Sequence, residues 1–561
     1  MARPDLRSRF SSFLPALLLG LALAPTASAD TLHVDEGLNS GANDGSSWAN
    51  AYQGIDGLAA ALSASVAGDD IYVAEGTYRP TSTGTRTLAF ALKTGVEVYG
   101  GFAGGEASPA ERPAFGTAES ILTGDLAGDD DGLGGNIGEN SYHVVTSPGA
   151  DATAVLDGFV ITSGFANGAG NNDSGAGILC TNGSSPTIRL CRFTDNRCTF
   201  GGAAGYIISG AAPSFTDVIF ENGDGGAFGG AFDIAGGGAV RYERCLFRNN
   251  TAARGGALEI FSTNGVVVNN CVFTGNVATG SGGGGGLWMG TGGNTQVRNC
   301  TIVGNTSTVN NVGGLRTQSS AGTTVVNCVI WGNIGPGSAT TQQAQMNLAT
   351  NATYCVVMGT FAGTGNVDTD PLFADAPGDD FTLTAGSSAV DAGNNNAVPG
   401  GTLVDFAGND RFVDDAGTVD TGVGSAPIVD MGAFEFAPGG SPFTDLGNGL
   451  AGTSGEPVLE LTGTLVGGTT VNLSLTNAAP ASTAFFVVGS SALFAPIKGG
   501  ILVPAADVVV GLGTGAGTLA FGFGWPVGVP PGFGTWYQAW VQDAGGPSGF
   551  AASNGVVGTT P

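Results

Sequence analysis

Groups of aspartates in glycine-rich loops are the residues with the clearest potential for chemistry. The first group is Asp125, Asp129, Asp130 and Asp131. Carboxylate oxygens are the ligands that Ca²⁺ prefers, although this spacing is not that of an EF-hand loop. We predict a calcium site here, with a solvated acidic loop as the alternative; no pattern in the chain demands another cofactor. The same two interpretations apply to two further groups: Asp368, Asp370, Asp375, Asp379 and Asp380, and Asp405, Asp410, Asp414 and Asp415.

Catalytic groups are less evident. The chain has two histidines, His33 and His143, and neither lies between two glycines, so the Gly-His-Gly signature of polygalacturonase-type hydrolysis is missing. Lyase chemistry needs an arginine or lysine base beside carboxylates that hold Ca²⁺. The candidate bases are Arg189, Arg192, Arg197, Arg241, Arg244, Arg248, Arg254, Arg298 and Arg316. No column of aspartates is evident beside them, so we expect solvated arginines and no catalysis.

Aromatic rings crowd the end of the chain. They are Trp525, Trp536, Tyr537 and Trp540. Exposed rings of this kind stack on sugars, but a small domain also needs large aromatic side chains to fill its core. Sugar stacking and core packing are therefore the two interpretations of this group.

A repeat defines the elements that must position these residues. The pattern Cys-x-(Phe/Ile)-x-x-Asn occurs five times, and successive anchor positions from residue 191 to residue 355 are 26 to 29 residues apart. A Gly-Gly-(Ala/Leu) triplet follows at a short distance in each unit. Two marks in constant order within one period indicate a solenoid. The repeated residues are Cys191, Cys245, Cys271, Cys300 and Cys328, with Asn196, Asn250, Asn276, Asn305 and Asn333.

Each unit contains short apolar runs, such as residues 266–268, that are too short for helices and are bounded by Gly and Asn. Units of this length cannot bury an apolar face alone, but stacking at ~4.8 Å gives continuous parallel sheets. We therefore predict an all-β chain: a right-handed parallel β-helix followed by a small β-sandwich-like C-terminal domain.

Two columns follow from such stacking. We predict that the repeated asparagines form an amide ladder at one corner of the coil. We predict that Cys245, Cys271, Cys300, Cys328 and Cys355 face inward as reduced thiols, because a cysteine at one register of every coil behaves as a small apolar group. A disulfide bridge remains the alternative within a second group, Cys180, Cys191 and Cys198.

These motifs resemble known families. The Phe-x-x-Asn and Gly-Gly-Ala marks are similar to the repeats of polymorphic outer-membrane proteins and of other right-handed β-helix proteins. The runs at residues 370–373, 389–393 and 429–435 resemble the closing segment of the choice-of-anchor Q β-helix proteins. The resemblance spans roughly residues 31–436 and implies a secreted bacterial β-helix protein. It implies little about activity.

The ends of the chain carry two further predictions. Residues 1–29 combine three arginines, an apolar run and an Ala-Ser-Ala site, the pattern of a secretory signal peptide. No later run is apolar enough to predict a transmembrane helix in the mature chain. We expect the β-helix to occupy residues 30–437, with its clearest repeats at 156–360 and a closing segment at 361–437. A sorting, anchoring or adhesion module is predicted at 438–561.

Composition and charge limit the function. The formal charge is −28, from 18 basic and 46 acidic residues, which disfavours binding to nucleic acid. We predict an exported protein of the cell surface or medium, with the periplasm as the alternative location. The leading function is non-catalytic adhesion or binding to polysaccharide or cell-envelope components. A polysaccharide lyase or glycoside hydrolase and a structural surface-layer element are the alternatives.

Overall fold

Short apolar runs separated by Gly- and Asn-rich corners form short strands, each paired in parallel with the equivalent strand of the next repeat. The computed structural model describes residues 29–131, 134–261, 265–290, 294–319, 322–338, 340–347, 351–415, 417–436, 442–463, 465, 467–530 and 532–560. The predicted signal peptide lies almost entirely outside the described residues. The chain divides into two compact units, residues 1–436 and residues 437–561.

Three long parallel sheets form the wall of the first unit, and its coils confirm the predicted parallel β-helix. Sheet 1 has twelve strands: Tyr52–Gln53, Thr31–Asp35, Asp70–Ala74, Glu97–Phe102, Val155–Asp157, Thr187–Arg189, Ser214–Thr216, Arg241–Glu243, Val267–Asn269, Gln296–Arg298, Thr324–Val326 and Ala352–Thr353. Sheet 2 has ten: Gly76–Tyr78, Ser120–Thr123, Phe159–Thr162, Arg192–Thr194, Ile219–Glu221, Leu246–Arg248, Val272–Thr274, Thr301–Val303, Val329–Trp331 and Val356–Val357. Sheet 3 has eight: Phe90–Ala91, Val145–Pro148, Ile178–Thr181, Gly205–Ile208, Phe232–Ala235, Leu258–Phe261, Leu287–Met289 and Leu315–Thr317.

Smaller parallel pairings project beside sheet 3. They are Phe165–Ala166 with Arg197–Cys198, and Thr251–Arg254 with Val277–Gly283 and Thr306–Ser307. These strands extend the wall of the coil outward, so a groove forms between them and sheet 3.

Like side chains stack along the axis of the coil. The rings of Phe247 and Phe273, one coil apart, are parallel with centroids 4.5 Å apart. The backbone N–H of Cys245 lies 3.4 Å from Sγ of Cys271, which places the cysteines of neighbouring coils in one file. All eight cysteines of the chain are free and buried, and no bridge joins the group around Cys191.

The repeated asparagines lie buried at one corner. Nδ2 of Asn250 donates to Oδ1 of Asn276. Nδ2 of Asn276 in turn donates to Oδ1 of Asn305 at 2.8 Å, and the series continues to Asn333. Asn196 lies at the same corner, but Gly223 occupies the equivalent position of the coil between it and Asn250. The amide series is therefore continuous from Asn250 onward, and Asn196 bonds only to backbone groups.

The described helices are short, and all but Pro547–Gly549 belong to the first unit. The α-helix Gly57–Ala64 places Leu58 and Leu62 against Val34 in the main core, so it covers the first end of the coil. A second α-helix spans Gln342–Gln345. The 3₁₀ helices are Trp48–Asn50, Pro109–Glu111, Ile137–Glu139, Gly170–Asp173, Pro336–Ser338, Ala376–Gly378, Asn395–Ala397 and Pro547–Gly549.

The closing segment does not continue the sheets. It contains one antiparallel pair, Phe373–Asp375 with Asp380–Leu383, and otherwise irregular backbone. Its Phe381, Ala433 and Phe434 pack against outward-facing Val272 and Val303 of sheet 2. Because the outer side of sheet 2 is apolar around Val272 and Val303, the segment folds back along this part of the face and buries it.

The second unit is antiparallel. One sheet contains Phe443–Asp445, Thr483–Gly489, Val508–Gly513, Gly534–Gln542, Phe550–Ala552 and Val556–Thr559. A second contains Val458–Thr462, Thr470–Thr476 and Leu519–Gly524, and a hairpin joins Ala492–Ile497 to Gly500–Pro504. Leu459 and Leu473 of the second sheet share a core with Phe486 and Val541 of the first. Among the described residues no helix is long and apolar enough to span a membrane.

Candidate functional site

A column of polar and aromatic side chains runs along the outer face of sheet 3. The strand register pairs Tyr206 with Asp233, Asp233 with Glu259, Glu259 with Trp288, and Trp288 with Arg316. Each of these residues comes from a different coil at the same position of its strand. Since coils are ~4.8 Å apart, the column extends over about 20 Å.

A second column lies beside the first. Isolated bridges pair Gly201 with Phe228 and Phe228 with Arg254, the last residue of the strand Thr251–Arg254. The two columns enclose an open groove of about 450 Å³ whose lining includes Phe228, Arg254, Trp288 and Arg316. We call it the Arg254 groove.

Arg254 is held rigidly within this groove. Its guanidinium carbon lies 4.5 Å from the ring centroid of Phe228 and 4.1 Å from that of Trp288. Its Nε donates to Oε2 of Glu259 at 3.0 Å, and Nη2 pairs with Oε1. A Cβ on Gly282 would overlap the methylene stem of Arg254, so the glycine leaves the space in which the arginine lies.

Two buried carboxyl groups of the first column lie behind the lining of the groove. Asp233 is 2% exposed and Glu259 is 1% exposed. Burial, together with the charge of Glu259, raises the pKa of Asp233 well above its ordinary value. Burial also raises the pKa of Glu259, while Arg254 opposes this effect. The raised pKa favours the neutral form of Asp233. The carboxylate of Glu259 is paired with the guanidinium of Arg254.

Arg316 supplies a second positive group. Its Nη1 donates to the carbonyl oxygens of Ser281, at 3.2 Å, and of Gly282. Burial and the neighbouring charge of Arg254 lower its pKa. No ion pair involves Arg316 in the part of the chain that the structure describes. Because Arg254 is paired with Glu259 and Arg316 has no acidic partner among the described residues, Arg316 places an uncompensated positive charge in the groove.

The spacing of this column was present in the sequence. From Tyr206 to Arg316 the steps are 27, 26, 29 and 28 residues, which is the repeat itself. The expectation drawn from the sequence concerned a column of aspartates and left out this column, in which a single aspartate and a glutamate lie between aromatic and basic residues. A search for like residues in one register does not detect a column of mixed chemistry.

Several other arginines of the repeats join neighbouring coils. Arg192 and Arg248 both pair with Glu221, which is 3% exposed and lies on the coil between them. Arg189 pairs with Asp157 in the same way. These side chains are only partly solvated, and their partners indicate a role in fixing the stacking of the coils.

The predicted calcium loop gathers a different set of ligands. One carboxylate oxygen from each of Asp125, Asp129 and Glu139 lies within 4.8 Å of the others. Glu139, on a short 3₁₀ helix, was not predicted because it lies outside the run of aspartates. Oδ2 of Asp130 accepts from the Asn140 side chain at 2.9 Å, and Oδ1 of Asp131 accepts from the N–H of Gly135. Calcium binding at this loop stays a prediction, with Glu139 added to its candidate ligands.

The aromatic group of the second unit is mostly internal. Trp525, Tyr537 and Trp540 are 6%, 3% and 5% exposed, and Trp536 is half-buried. Trp525 and Tyr537 belong to the core that the two antiparallel sheets share. Core packing, one of the two interpretations given above, accounts for the three buried rings.

The first unit is a parallel β-helix with an open groove beside the outer face of one of its sheets. Comparison with known proteins agrees with the fold. Residues 152–302 match the family model described as "Right handed beta helix region". The search of curated proteins found no match. Among solved structures, the crystal structure of pectate lyase Pel9A aligns with a TM-score of 0.43 and 15% identity, covering 73% of this chain and 97% of that chain.

Proposed function

We propose that the protein binds an acidic polysaccharide in the Arg254 groove without cleaving it. The observation that carries this proposal is the pair Arg254 and Arg316, placed beside aromatic rings along a groove that follows the axis of the coil. A chain molecule with a carboxylate on successive sugars matches such a groove, because arginines pair with carboxylates and the rings of Phe228 and Trp288 hold Arg254 in place. The neutral form of Asp233 avoids repulsion of the ligand.

The proposal is tested by measuring the affinity of the full chain for polygalacturonate oligosaccharides, with uncharged glucan oligosaccharides as the comparison. Arg316→Ala is expected to weaken binding by ~10-fold, the loss of one charge-assisted contact. Arg241→Ala removes an exposed arginine of sheet 1 outside the groove lining and serves as the control with the same change in net charge. Equal losses of affinity in both variants would show that binding depends on net charge alone and would contradict the proposed site.

One observation favours a polysaccharide lyase as a second candidate. Arg316 lies in the groove and forms no ion pair among the described residues, so it is placed where a lyase would need its base. In β-elimination a base would take the proton from the carbon beside the sugar carboxylate, a C=C bond would form, and the glycosidic oxygen would leave with a proton. Release of unsaturated products, lost in Arg316→Ala and kept in Arg241→Ala, would establish the lyase and exclude a purely binding function.

We infer an extracellular or cell-surface location from the N-terminal pattern and from the resemblance of residues 429–435 to choice-of-anchor Q proteins. In this proposal the second unit sorts or anchors the protein at the envelope. Cell fractionation, with and without residues 438–561, tests both parts. A full chain found in the cytoplasm would contradict export. A periplasmic location, or regular surface arrays, would favour the alternatives to adhesion.

A further inference from the structure

The closing segment brings three carboxylates together. One oxygen from each of Asp391, Asp414 and Asp420 lies within 4.8 Å of the other two. Backbone hydrogen bonds produce this arrangement. The N–H of Asp415 donates to Oδ2 of Asp391 at 3.2 Å, and the N–H of Thr421 donates to the carbonyl oxygen of Asp391 at 2.9 Å. The backbone at Asp415 and at Thr421 is thus bonded to Asp391, and the carboxylates of Asp414 and Asp420 converge on Asp391.

Asp391 has an oxygen that the protein does not satisfy. The residue is 0% exposed, and its Oδ1 has no hydrogen-bond partner. A buried polar atom without a partner destabilises a fold unless another group, such as an ion, satisfies it. In the described part of the chain no arginine or lysine forms an ion pair with Asp391, Asp414 or Asp420. A positive charge is missing at the point where three negative groups meet.

We propose that Asp391, Asp414 and Asp420 bind a Ca²⁺ ion that fastens Asp414 and Asp420 to Asp391 within the closing segment. Ca²⁺ takes six to eight oxygens at about 2.3–2.6 Å, so oxygens up to ~5 Å apart fit around one ion. Three carboxylates leave positions for water, and Asp414 and Asp420 are exposed to it. Mg²⁺ demands a tighter octahedral shell and dehydrates reluctantly, so it binds more weakly here. The proposal does not depend on the function of the Arg254 groove.

Calorimetric titration of the EDTA-treated full chain with CaCl₂ tests the site. Asp391→Asn and Asp420→Asn are each expected to weaken binding at this site by at least ~10-fold, the smallest loss typical of altered metal sites. Asp410→Asn is the matched control, because it removes an exposed carboxylate of the same segment that is not in the cluster. Asp129→Asn, in the acidic loop at residues 125–131, distinguishes calcium binding at that loop from calcium binding at Asp391, Asp414 and Asp420.

The outcomes are distinct. Asp410→Asn and Asp129→Asn retain the site, whereas both cluster variants lose it, and Ca²⁺ raises the Tm of the wild type but not of Asp420→Asn. If Asp391→Asn fails to fold, Asp420→Asn, which alters an exposed residue, is the variant that tests the site. Unchanged Ca²⁺ affinity in Asp420→Asn, or an equal loss in Asp410→Asn, would overturn the proposal. A wild type that prefers Mg²⁺ would also overturn it.

Discussion

Asn276 shows how one side chain stabilises three coils. Its Nδ2 donates to the carbonyl oxygen of Phe247 at 2.9 Å and to Asn305, while its Oδ1 accepts from the N–H and the side chain of Asn250. An asparagine is well suited to this position because it offers donors and an acceptor in one plane. Buried polar groups of two neighbouring coils depend on it.

Asn276→Ala is expected to lower the free energy of unfolding by about 2–4 kcal/mol, because it leaves buried partners on both sides without hydrogen bonds. Urea denaturation followed by circular dichroism measures this. Asn396→Ala, at an exposed position of the closing segment, is the control and is expected to have little effect. Similar losses in the two variants would show that the amide series contributes no special stability.

Asp233 predicts a pH dependence of stability. Its raised pKa means that the folded chain holds this proton more tightly than the unfolded chain does. The stabilisation is complete below the ordinary aspartate pKa of about 4 and is lost as the pH rises towards the folded value. Asp233→Asn is therefore expected to match the wild type near pH 4 and to exceed its Tm at pH 8. A variant less stable than the wild type at pH 8 would contradict this; Asp410→Asn is the control.

At the scale of elements, the projecting strand Val277–Gly283 forms one wall of the Arg254 groove. Gly282 lies where a Cβ would overlap the stem of Arg254. The absence of a side chain there lets the guanidinium lie between the rings of Phe228 and Trp288. The glycine of one coil thus positions the arginine of the preceding coil.

Gly282→Ala is expected to displace Arg254 and to weaken polygalacturonate binding by ~10-fold, the loss of one well-placed charged contact. The Tm is expected to fall as well, because displacing Arg254 leaves the buried carboxylate of Glu259 without its partner. Gly105→Ala, where a Cβ meets nothing within 4 Å, is the control for binding. Unchanged affinity in Gly282→Ala would show that the exact position of Arg254 is unimportant.

The elements differ in how far the sequence predicts them. Strands such as Val272–Thr274 were predictable because the same inward positions recur in every coil. The path of the closing segment was not, because Phe381 and Phe434 contact outward-facing Val272 and Val303, whose partners follow no period. The column beside the groove was predictable only in part. From Tyr206 to Arg316 it keeps the period of the repeat, but its residue types differ from coil to coil.

At the scale of the whole molecule, the charge of −28 acts on stability and binding in opposite directions. Repulsion among acidic residues destabilises the folded chain, and salt screens it. Attraction between the arginines of the groove and an acidic polymer is screened by the same ions. The balance between these effects is a property of the molecule and not of one site.

Raising NaCl from ~10 to ~150 mM shortens the screening length from about 30 to about 8 Å. We expect the Tm of the chain to rise over this range and its affinity for polygalacturonate to fall. Differential scanning calorimetry and binding titrations measure the two effects, with sucrose at equal osmolarity as the control. A Tm that falls with salt would contradict the role assigned to charge repulsion.

The amide series at the corner of the coil ends in a different residue. Oε1 of Gln345 accepts from the N–H and Nδ2 of Asn333, and its Nε2 donates back to the Asn333 carbonyl oxygen. The glutamine occupies the place that an asparagine of one more coil would take. An open row of amides would be a template on which a second molecule could stack end to end. By closing the row from within its own chain, Gln345 disfavours growth into filaments, a hazard for any protein built from self-complementary turns.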